Sequence, residues 1–240
     1  MGYIYKPKGK AGEYGELALN IYKGCGHGCK YCYVPPILYQ TPEQFHANPQ
    51  PRPLDQRILS RELDALRGKS VFLCFTCDPY QPVDTEAKVT REVIQRLRLY
   101  GISPNILTKG GTRSARDFDL LSKDPGAKYG ATLTFLDDSL SLLWEPGASL
   151  PQHRIKALQE AHSLGIQTWA SLEPVIDPAQ SLQIIRETKD FVDEYKIGRW
   201  NHDPRADRID WKAFGQEAVE LCRTLGKKYY IKKDLAVFLK

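Results

Sequence analysis

The chain has 240 residues and a net charge of +5, which is enough for one substantial domain. Hydrophobic residues make up 42% and charged residues 26% of it, a globular composition that excludes disordered, collagen-like and coiled-coil proteins. No stretch approaches about eighteen uncharged apolar residues, and the first residues lack the apolar core of a secretion signal. These features predict a protein of the reducing cytoplasm with no membrane partner.

Short apolar runs alternate with helical stretches along the whole chain. The runs are rich in Val, Ile, Leu, Phe and Thr and are bounded by Gly, Pro, Asp or Lys, as buried strands are. The candidate strands are residues 16–22, 71–76, 104–109, 129–135, 167–172 and 191–197. The candidate helices, which have apolar residues at helical spacing, are residues 54–66, 85–99, 151–164, 178–188 and 211–225.

This alternation indicates parallel βαβ units and therefore an α/β fold. Six parallel strands with outer helices suit a partial (β/α)6 barrel, and a doubly wound sheet is the alternative; chemistry sits at the carboxyl ends of the strands in both. Residues 40–52 are rich in proline and show no periodicity, which predicts a surface excursion. Residues 227–233 interleave Lys and Tyr, which predicts a half-exposed closing strand, with a nucleic-acid-binding surface as the alternative.

Three of the six cysteines, Cys25, Cys29 and Cys32, fall within eight residues directly after the first predicted strand. In a reducing compartment such clustering indicates metal binding or redox chemistry rather than disulfide bridges. On a glycine-rich loop, this spacing lets three thiolates wrap one face of an iron–sulfur cubane and leaves the fourth iron open to a ligand. A zinc site that adds His27 is the alternative, although four ligands so close in sequence are cramped for a tetrahedron.

The run Cys25-Gly-His-Gly-Cys29-Lys-Tyr-Cys32 resembles the signature of the radical S-adenosylmethionine (SAM) enzymes, and it follows the first strand as in that family. Segments that begin at Thr76 and Ser171, together with Ile106-Leu-Thr-Lys, resemble the branch related to spore photoproduct lyase, whose lyases repair a thymine dimer in DNA. The resemblance covers roughly residues 16–200. It implies one radical SAM domain over residues 1–240, in which residues 201–240 are an extension that closes the barrel.

The resemblance also implies the cofactors and the reaction. Cys25, Cys29 and Cys32 would hold a [4Fe–4S] cluster, and SAM would chelate its unique iron. Reduction by a one-electron donor of the flavodoxin or ferredoxin type would split SAM into methionine and a 5′-deoxyadenosyl radical. The branch suggests a nucleic-acid base as substrate, with a peptide or a small metabolite as the alternative. A zinc-stabilised nucleic-acid-binding module without catalysis is a hypothesis from another class.

With SAM as the implied ligand, its polar groups need partners at the strand ends. Asp78 stands where most of these enzymes have a Gly-Gly-Glu stretch, and it is the candidate acceptor for the ammonium. Lys109 is the candidate cation for the carboxylate. The other candidates are Tyr31 beside the cluster, Tyr33 against the adenine, Thr76 on the second strand, and Thr132, Thr134 and Glu173 for the ribose hydroxyls.

A second cysteine pair, Cys74 and Cys77, follows the second strand closely. As a second metal site it lacks further ligands, because only Cys222 remains. A thioredoxin-type couple is disfavoured because that motif opens a helix, whereas residues 71–76 predict a strand. Period-2 alternation in that strand would turn Cys74, Thr76 and Asp78 inward together. Donation of a hydrogen atom to a substrate radical is the functional hypothesis, and an inert buried cysteine is the structural alternative.

Overall fold

The computed structural model of the chain describes residues 2–240 and is built around one eight-stranded sheet. The strands are β1 (Ile4–Tyr5), β2 (Ala18–Leu19), β3 (Tyr22–Lys23), β4 (Gln50–Pro51), β5 (Ser70–Leu73), β6 (Ser103–Thr108), β7 (Lys128–Thr132), β8 (Gln167–Val175), β9 (Glu194–Arg199) and β10 (Lys228–Ile231). Their order is β1-β2-β5-β6-β7-β8-β9-β10, and β3 pairs separately with β4. Only the β1–β2 pair of the large sheet is antiparallel. The predicted α/β fold with a parallel sheet is confirmed.

Helices connect the parallel strands and cover the outer face of the sheet. They are α1 (Val34–Ile37), α2 (Pro42–Ala47), α3 (Gln56–Asp64), α4 (Asp84–Ala87), α5 (Val89–Leu99), α6 (Phe118–Leu121), α7 (Asp138–Trp144), α8 (Pro151–Ser163), α9 (Pro178–Thr188), α10 (Trp211–Thr224) and α11 (Lys233–Ala236). Short 3-10 segments lie at Gly9–Glu13, Gly111–Asp117, Pro204–Arg208 and Val237–Leu239. None of the helices within residues 2–240 is long and apolar enough to cross a membrane. The cytoplasmic location stays a prediction.

Several predicted elements differ from the structure in their bounds, and three of these differences have reasons that the backbone shows. The first strand is shorter, because the chain leaves the large sheet after Leu19 and pairs Tyr22 with Pro51 instead. The helix predicted over residues 85–99 is divided at Lys88, whose φ of 51° lies in the left-handed region. The excursion over residues 40–52 holds α2, which a capping box starts, and β4.

The two faces of the sheet have different chemistry. The outer face packs against the helices in one large apolar core that includes Leu73, Ile106 and Leu172. The inner face, called the lumen below, carries a second cluster in which Ala18, Phe72 and Trp169 are buried together. Alternation along β8 explains the division, because successive side chains of a strand point to opposite faces.

A glycine makes room for the largest ring in the lumen. Gly130 on β7 is paired with Trp169 on β8, and a Cβ at Gly130 would stand 2.3 Å from Cε2 of that indole. Real Cβ atoms do not approach other atoms so closely, so the indole lies over the glycine only because the side chain is absent there. The packing of the lumen therefore depends on a residue that the sequence analysis did not single out.

Gly130→Ala is expected to destabilise the protein by about 1–3 kcal/mol, the usual cost of overpacking a filled interior. Urea unfolding followed by tryptophan fluorescence measures the change. Gly15→Ala is the matched control, because its Cβ would meet Phe72 at an ordinary 3.5 Å. Equal unfolding midpoints for the two variants would contradict this account of the lumen.

The N-terminal segment bridges the two free ends of the sheet. We call residues 9–14 the clasp; they connect β1 to β2 at one end of the sheet and contact residues next to β10 at the other. Lys10 Nζ lies 2.8 Å from Asp234 Oδ2, and Glu13 Oε2 accepts hydrogen bonds from Tyr230 Oη and Lys233 N, both at 2.9 Å. The clasp therefore closes the gap between the two edges of the sheet, β1 and β10, beside the lumen.

Candidate active site at the carboxyl ends of the strands

The loop that carries the three cysteines is fixed by hydrogen bonds to distant parts of the chain. Residues 24–32, called the cysteine loop below, follow β3. Gly26 N donates to Gln81 Oε1 at 2.7 Å, and Lys30 N donates to the Trp144 carbonyl at 2.9 Å. The loop is thus attached to the segment after β5 and to the end of α7, which places it over the carboxyl ends of the strands.

Two glycines allow the loop to fold so tightly. Gly24 and Gly28 adopt φ values of 76° and 63°, a region that favours glycine. A Cβ at Gly24 would also stand 2.7 Å from the Phe45 carbonyl oxygen. The glycines that flank the cysteines are required for this backbone path, as the sequence analysis expected.

The cysteine loop carries three thiols, the ligand type that iron–sulfur clusters take, although within residues 2–240 no three His, Cys, Asp or Glu side chains stand close enough to hold a metal ion. Cys25, Cys29 and Cys32 are free and only partly buried. Burial raises the pKa of Cys29 to about 12, and the Lys109 ammonium opposes that rise in pKa at both Cys29 and Cys32. Iron takes thiolates rather than thiols, so a cation beside two of the three sulfurs favours the ligating form.

The cysteine loop itself contains a buried, neutral histidine. His27 is 2% exposed, and burial lowers its pKa to about 3. Its Nε2 lies 3.1 Å from Arg113 Nη2, and its Nδ1 lies 3.4 Å from Asp78 Oδ2. Because the guanidinium can only donate, we assign the proton of the imidazole to Nδ1, facing the carboxylate.

Asp78 is held entirely by groups of the protein. Its Oδ1 accepts from Tyr80 N at 2.8 Å and from Thr108 Oγ1 at 2.5 Å, and its Oδ2 accepts from Lys109 N at 2.7 Å. The bond from Lys109 N fixes the backbone of Lys109, which is the candidate partner of the SAM carboxylate. Lys109 Nζ lies 5.5 Å from the centroid of the Tyr31 ring. The role of Asp78 as an acceptor for the SAM ammonium stays a prediction. Its oxygens would have to accept that ammonium in addition to the three hydrogen bonds just described.

A buried ion pair supports the cysteine loop from below. Glu145 Oε2 and Arg154 Nη2 are 2.6 Å apart, and both side chains are almost completely buried. Tyr31 donates its hydroxyl hydrogen to Glu145, and Thr134 Oγ1 lies 3.3 Å from the same carboxylate. Arg154 also donates to the Thr132 carbonyl at 3.1 Å. The sequence analysis singled out Tyr31 and the two threonines but not the ion pair, since α7 shows no motif.

Glu173 is fixed from the clasp and from the last strand. Its Oε2 accepts from Tyr14 Oη at 2.5 Å and from Lys232 Nζ at 2.6 Å, and Ser171 Oγ lies 3.0 Å from the same Tyr14 hydroxyl. A Cβ on Gly198 would stand 2.9 Å from Glu173 Cδ and 3.0 Å from Lys232 Cδ, so a larger residue there would displace the ends of these two side chains. Burial and the neighbouring carboxylate raise the pKa of Tyr14 well above its usual range. Neither partner of Glu173 was singled out from the sequence.

The segment after β5 is a loop rather than the end of a strand. β5 ends at Leu73, so the alternation predicted to turn Cys74, Thr76 and Asp78 inward together does not reach them, and that prediction is wrong. Tyr33 contacts this loop: its side chain is 45% exposed, and its hydroxyl donates a hydrogen bond to the Phe75 carbonyl at 2.7 Å.

The chain belongs to the radical SAM superfamily, whose profile matches residues 19–192. It is therefore an enzyme of the radical SAM class, whose members bind a [4Fe–4S] cluster and SAM. This identification agrees with the resemblance found in the sequence and with the position of the cysteine loop at the carboxyl ends of a parallel sheet.

Three distant relatives are each described as an uncharacterized protein. A protein of Methanocaldococcus jannaschii is 28% identical over 183 residues, which are 75% of this chain and 68% of that protein. A protein of Acidianus two-tailed virus is 26% identical over 188 residues, covering 73% of this chain and 61% of its own length. A protein of Mycobacterium tuberculosis is 26% identical over 174 residues, which are 67% of this chain and half of that protein. The chain thus spans between half and about two thirds of these relatives.

Solved structures share the fold at low sequence identity. A spore photoproduct lyase mutant superposes with a TM-score of 0.73 at 12% identity, covering 95% of this chain and 78% of that one. SuiB of Streptococcus suis, solved with S-adenosylmethionine, superposes with a TM-score of 0.63 at 13% identity, covering 92% of this chain and 52% of that one. The likeness confirms the fold expected from the sequence.

Proposed function

We propose that Cys25, Cys29 and Cys32 hold the [4Fe–4S] cluster and that this enzyme cleaves SAM reductively to a 5′-deoxyadenosyl radical. The observation that carries the proposal is the set of three free thiols on one fixed loop; burial raises the pKa of Cys29 and Cys32, and the Lys109 ammonium opposes that rise at both. When bound and reduced, the cluster supplies the electron that splits SAM into methionine and the radical. The protein supplies binding, orientation and charge.

Candidate groups for SAM surround the cysteine loop. Lys109 offers its side-chain ammonium to the carboxylate of SAM. Asp78 accepts a hydrogen bond from the Lys109 backbone and is the candidate partner of the SAM ammonium. Tyr33 is exposed enough to stack on the adenine. Glu173 has one oxygen taken by Tyr14 and Lys232, which leaves Oε1 for a ribose hydroxyl.

Two further polar residues are proposed partners of SAM on the same side of the sheet. Thr76 is held through its backbone, because its N–H donates to Asn20 Oδ1 at 3.0 Å, so its hydroxyl stays free for the cofactor. Thr132 lies at the end of β7 and uses its carbonyl for Arg154, which likewise leaves its hydroxyl for the ribose. Thr134 is the weaker candidate of the two threonines on this stretch, since its hydroxyl already contacts Glu145.

Anaerobic reconstitution with iron and sulfide tests the proposal. The expected product is a brown protein with about four irons per chain that forms 5′-deoxyadenosine from SAM when dithionite and an electron carrier are added. A flavodoxin or ferredoxin would be the donor in the cell. A colourless protein that takes up one zinc ion, binds nucleic acid with strong salt dependence and forms no 5′-deoxyadenosine would support the zinc-module hypothesis instead.

Lys109→Met is expected to weaken SAM binding about ten-fold or more, because a charge-assisted hydrogen bond to a carboxylate is lost. Equilibrium dialysis of the reconstituted, unreduced protein against labelled SAM measures the affinity. Lys123→Met, on the exposed surface, is the matched control and should leave the affinity unchanged. Equal affinities in the two variants would remove Lys109 from the SAM site.

For the substrate, we propose a nucleic-acid base. Spore photoproduct lyase, which shares the fold with a TM-score of 0.71, has been solved with a dinucleoside spore photoproduct. Tyr14 and Phe75 are only partly buried and lie 6.2 Å apart along the lumen, against the buried Phe72, and such rings can stack on a base. A peptide is the second candidate, because SuiB has been solved with its precursor peptide. Deuterated SAM offered with oligonucleotides and with peptides separates the two, since the label enters only the true substrate.

Cys77 and Cys74 are the proposed donors of a hydrogen atom to the substrate radical. In this step the S–H bond breaks, a C–H bond forms on the substrate, and a thiyl radical remains on the protein. Cys77 is the more exposed of the two thiols, so it is the first candidate. Separate Cys→Ala changes are expected to alter the product while leaving 5′-deoxyadenosine formation intact. An unchanged product in both variants would sink the donor hypothesis.

A further inference from the structure

The two intervening residues of the Cys74-Phe-Thr-Cys77 segment are fixed in a tight bend. Phe75 N and Thr76 N both donate to Asn20 Oδ1, at 2.8 and 3.0 Å. Two successive N–H groups can reach one acceptor only where the backbone curves around it, which draws the flanking residues towards each other. Asn20 itself is buried and is held through Nδ2 by Tyr5 Oη at 2.9 Å.

The bend draws together two thiols of unequal exposure. Cys74 and Cys77 stand three positions apart around it, and Cys77 packs against the same apolar core in which Cys74 is buried. Cys74 is 7% exposed and packs in the outer core, whereas Cys77 is only partly buried. Because β5 ends at Leu73, the pair lies on a loop, so strand alternation does not turn the two side chains to opposite faces.

We propose that Cys74 and Cys77 form a redox-active dithiol that a low-molecular-weight disulfide oxidises to an intramolecular disulfide. The accessible Cys77 attacks first, because exchange begins at the sulfur that solvent can reach. Cys74, buried behind it, resolves the mixed disulfide. The effect on hydrogen donation rests on the proposed function, since a disulfide has no S–H bond to give, but the disulfide itself does not.

The exchange balances with glutathione disulfide as the oxidant. The Cys77 sulfur forms a bond to one glutathione sulfur, the glutathione S–S bond breaks, and one glutathione leaves as thiol with the proton of Cys77. The Cys74 sulfur then bonds to the Cys77 sulfur, and the second glutathione leaves with the proton of Cys74. Two protein thiols are oxidised and one disulfide is reduced to two glutathione thiols. Burial and the neighbouring thiol raise the pKa of Cys74, which favours a protonated, reducing pair at neutral pH.

The sequence allows a direct readout. Cleavage after Lys69 and Lys88 places both cysteines in one tryptic peptide, residues 70–88, separate from every other cysteine. The full-length chain without added iron is equilibrated in glutathione buffers of rising oxidation, trapped with acid and N-ethylmaleimide, and digested. The expected result is a peptide lighter by two hydrogens and free of maleimide, which dithiothreitol returns to the doubly alkylated form.

Single variants test the order of events. Cys74→Ser is expected to accumulate glutathione on Cys77, because the resolving thiol is gone, whereas Cys77→Ser should stay unmodified at the buried Cys74. Asn20→Ala should lower the disulfide fraction and Asn20→Asp should keep it, since only the second retains an acceptor for the bend. Cys222→Ser is the control and should behave as the unmodified chain, because Cys222 is fully buried elsewhere.

Two results would overturn the proposal. One is a peptide that stays doubly alkylated at every glutathione ratio, and the other is a cross-link from Cys77 to a peptide of the cysteine loop. The measurement uses no SAM and no cluster, so its failure leaves reductive SAM cleavage untouched. Conversely, a chain that forms the disulfide but never cleaves SAM would refute the proposed function alone.

Discussion

Replacing Cys29 with alanine is expected to reduce the bound iron from about four per chain to near zero and to abolish formation of 5′-deoxyadenosine. Two thiolates cannot hold a cubane that already leaves one iron without a protein ligand. Burial raises the pKa of Cys29 and Lys109 opposes that rise, as it does at Cys32, so the two thiols are expected to respond alike to substitution. Iron analysis and the electronic absorption of the reconstituted variant are the measurements.

Cys222→Ala is the matched control for this experiment. Cys222 lies buried on α10, away from the cysteine loop, and should leave iron content and SAM cleavage unchanged. Cys25→Ala and Cys32→Ala should behave like Cys29→Ala. A Cys29→Ala protein that retains a full cluster would show that the ligand set is different from the one proposed.

Arg154→Met is expected to destabilise the protein by about 3–5 kcal/mol, because it leaves a carboxylate buried without its cation. Glu145 has no access to solvent, and burial already raises its pKa against the opposing effect of Arg154. The variant should also loosen the cysteine loop, since Tyr31 donates its hydroxyl hydrogen to the same carboxylate. Urea unfolding of the cluster-free protein measures the loss of stability.

Arg67→Met provides the comparison on the surface. Arg67 pairs with Asp64 at 2.8 Å, and both side chains are more than half exposed, at 60% and 65%. Loss of such a pair costs at most about 1 kcal/mol. If both substitutions lowered the free energy of unfolding equally, the ion pair beneath the cysteine loop would not have the importance given to it here.

The sequence was sufficient for the class of fold and for the cysteine loop. Continuous apolar runs predict strands that are buried on both faces, and apolar residues at a period of 3.6 predict the helices between them. Both patterns can be read from a few neighbouring residues, so the parallel sheet was predictable. The closing strand near residues 228–231 was also expected from alternation, and it is β10. The triplet of cysteines needs only its own spacing to be recognised.

The supports of the site could not be predicted because they come from long-range contacts. Tyr14 and Lys232 meet at Glu173 although they are far apart in the chain. β5 ends at Leu73, and soon after it the N–H groups of Phe75 and Thr76 donate to the Asn20 amide oxygen rather than to a neighbouring strand. No periodicity marks such residues, since their effect arises only after the sheet has formed.

The clasp has a consequence for how the molecule is made. Glu13 and its partner Tyr230 are 217 positions apart in the chain, so their contact cannot form until the ribosome has made the residues between them. Pairings over such distances are slow, because the intervening chain must lose its freedom before they form. The growing polypeptide therefore keeps an open trough until Tyr230 has been made, and iron and sulfide can reach the cysteine loop before that trough is closed.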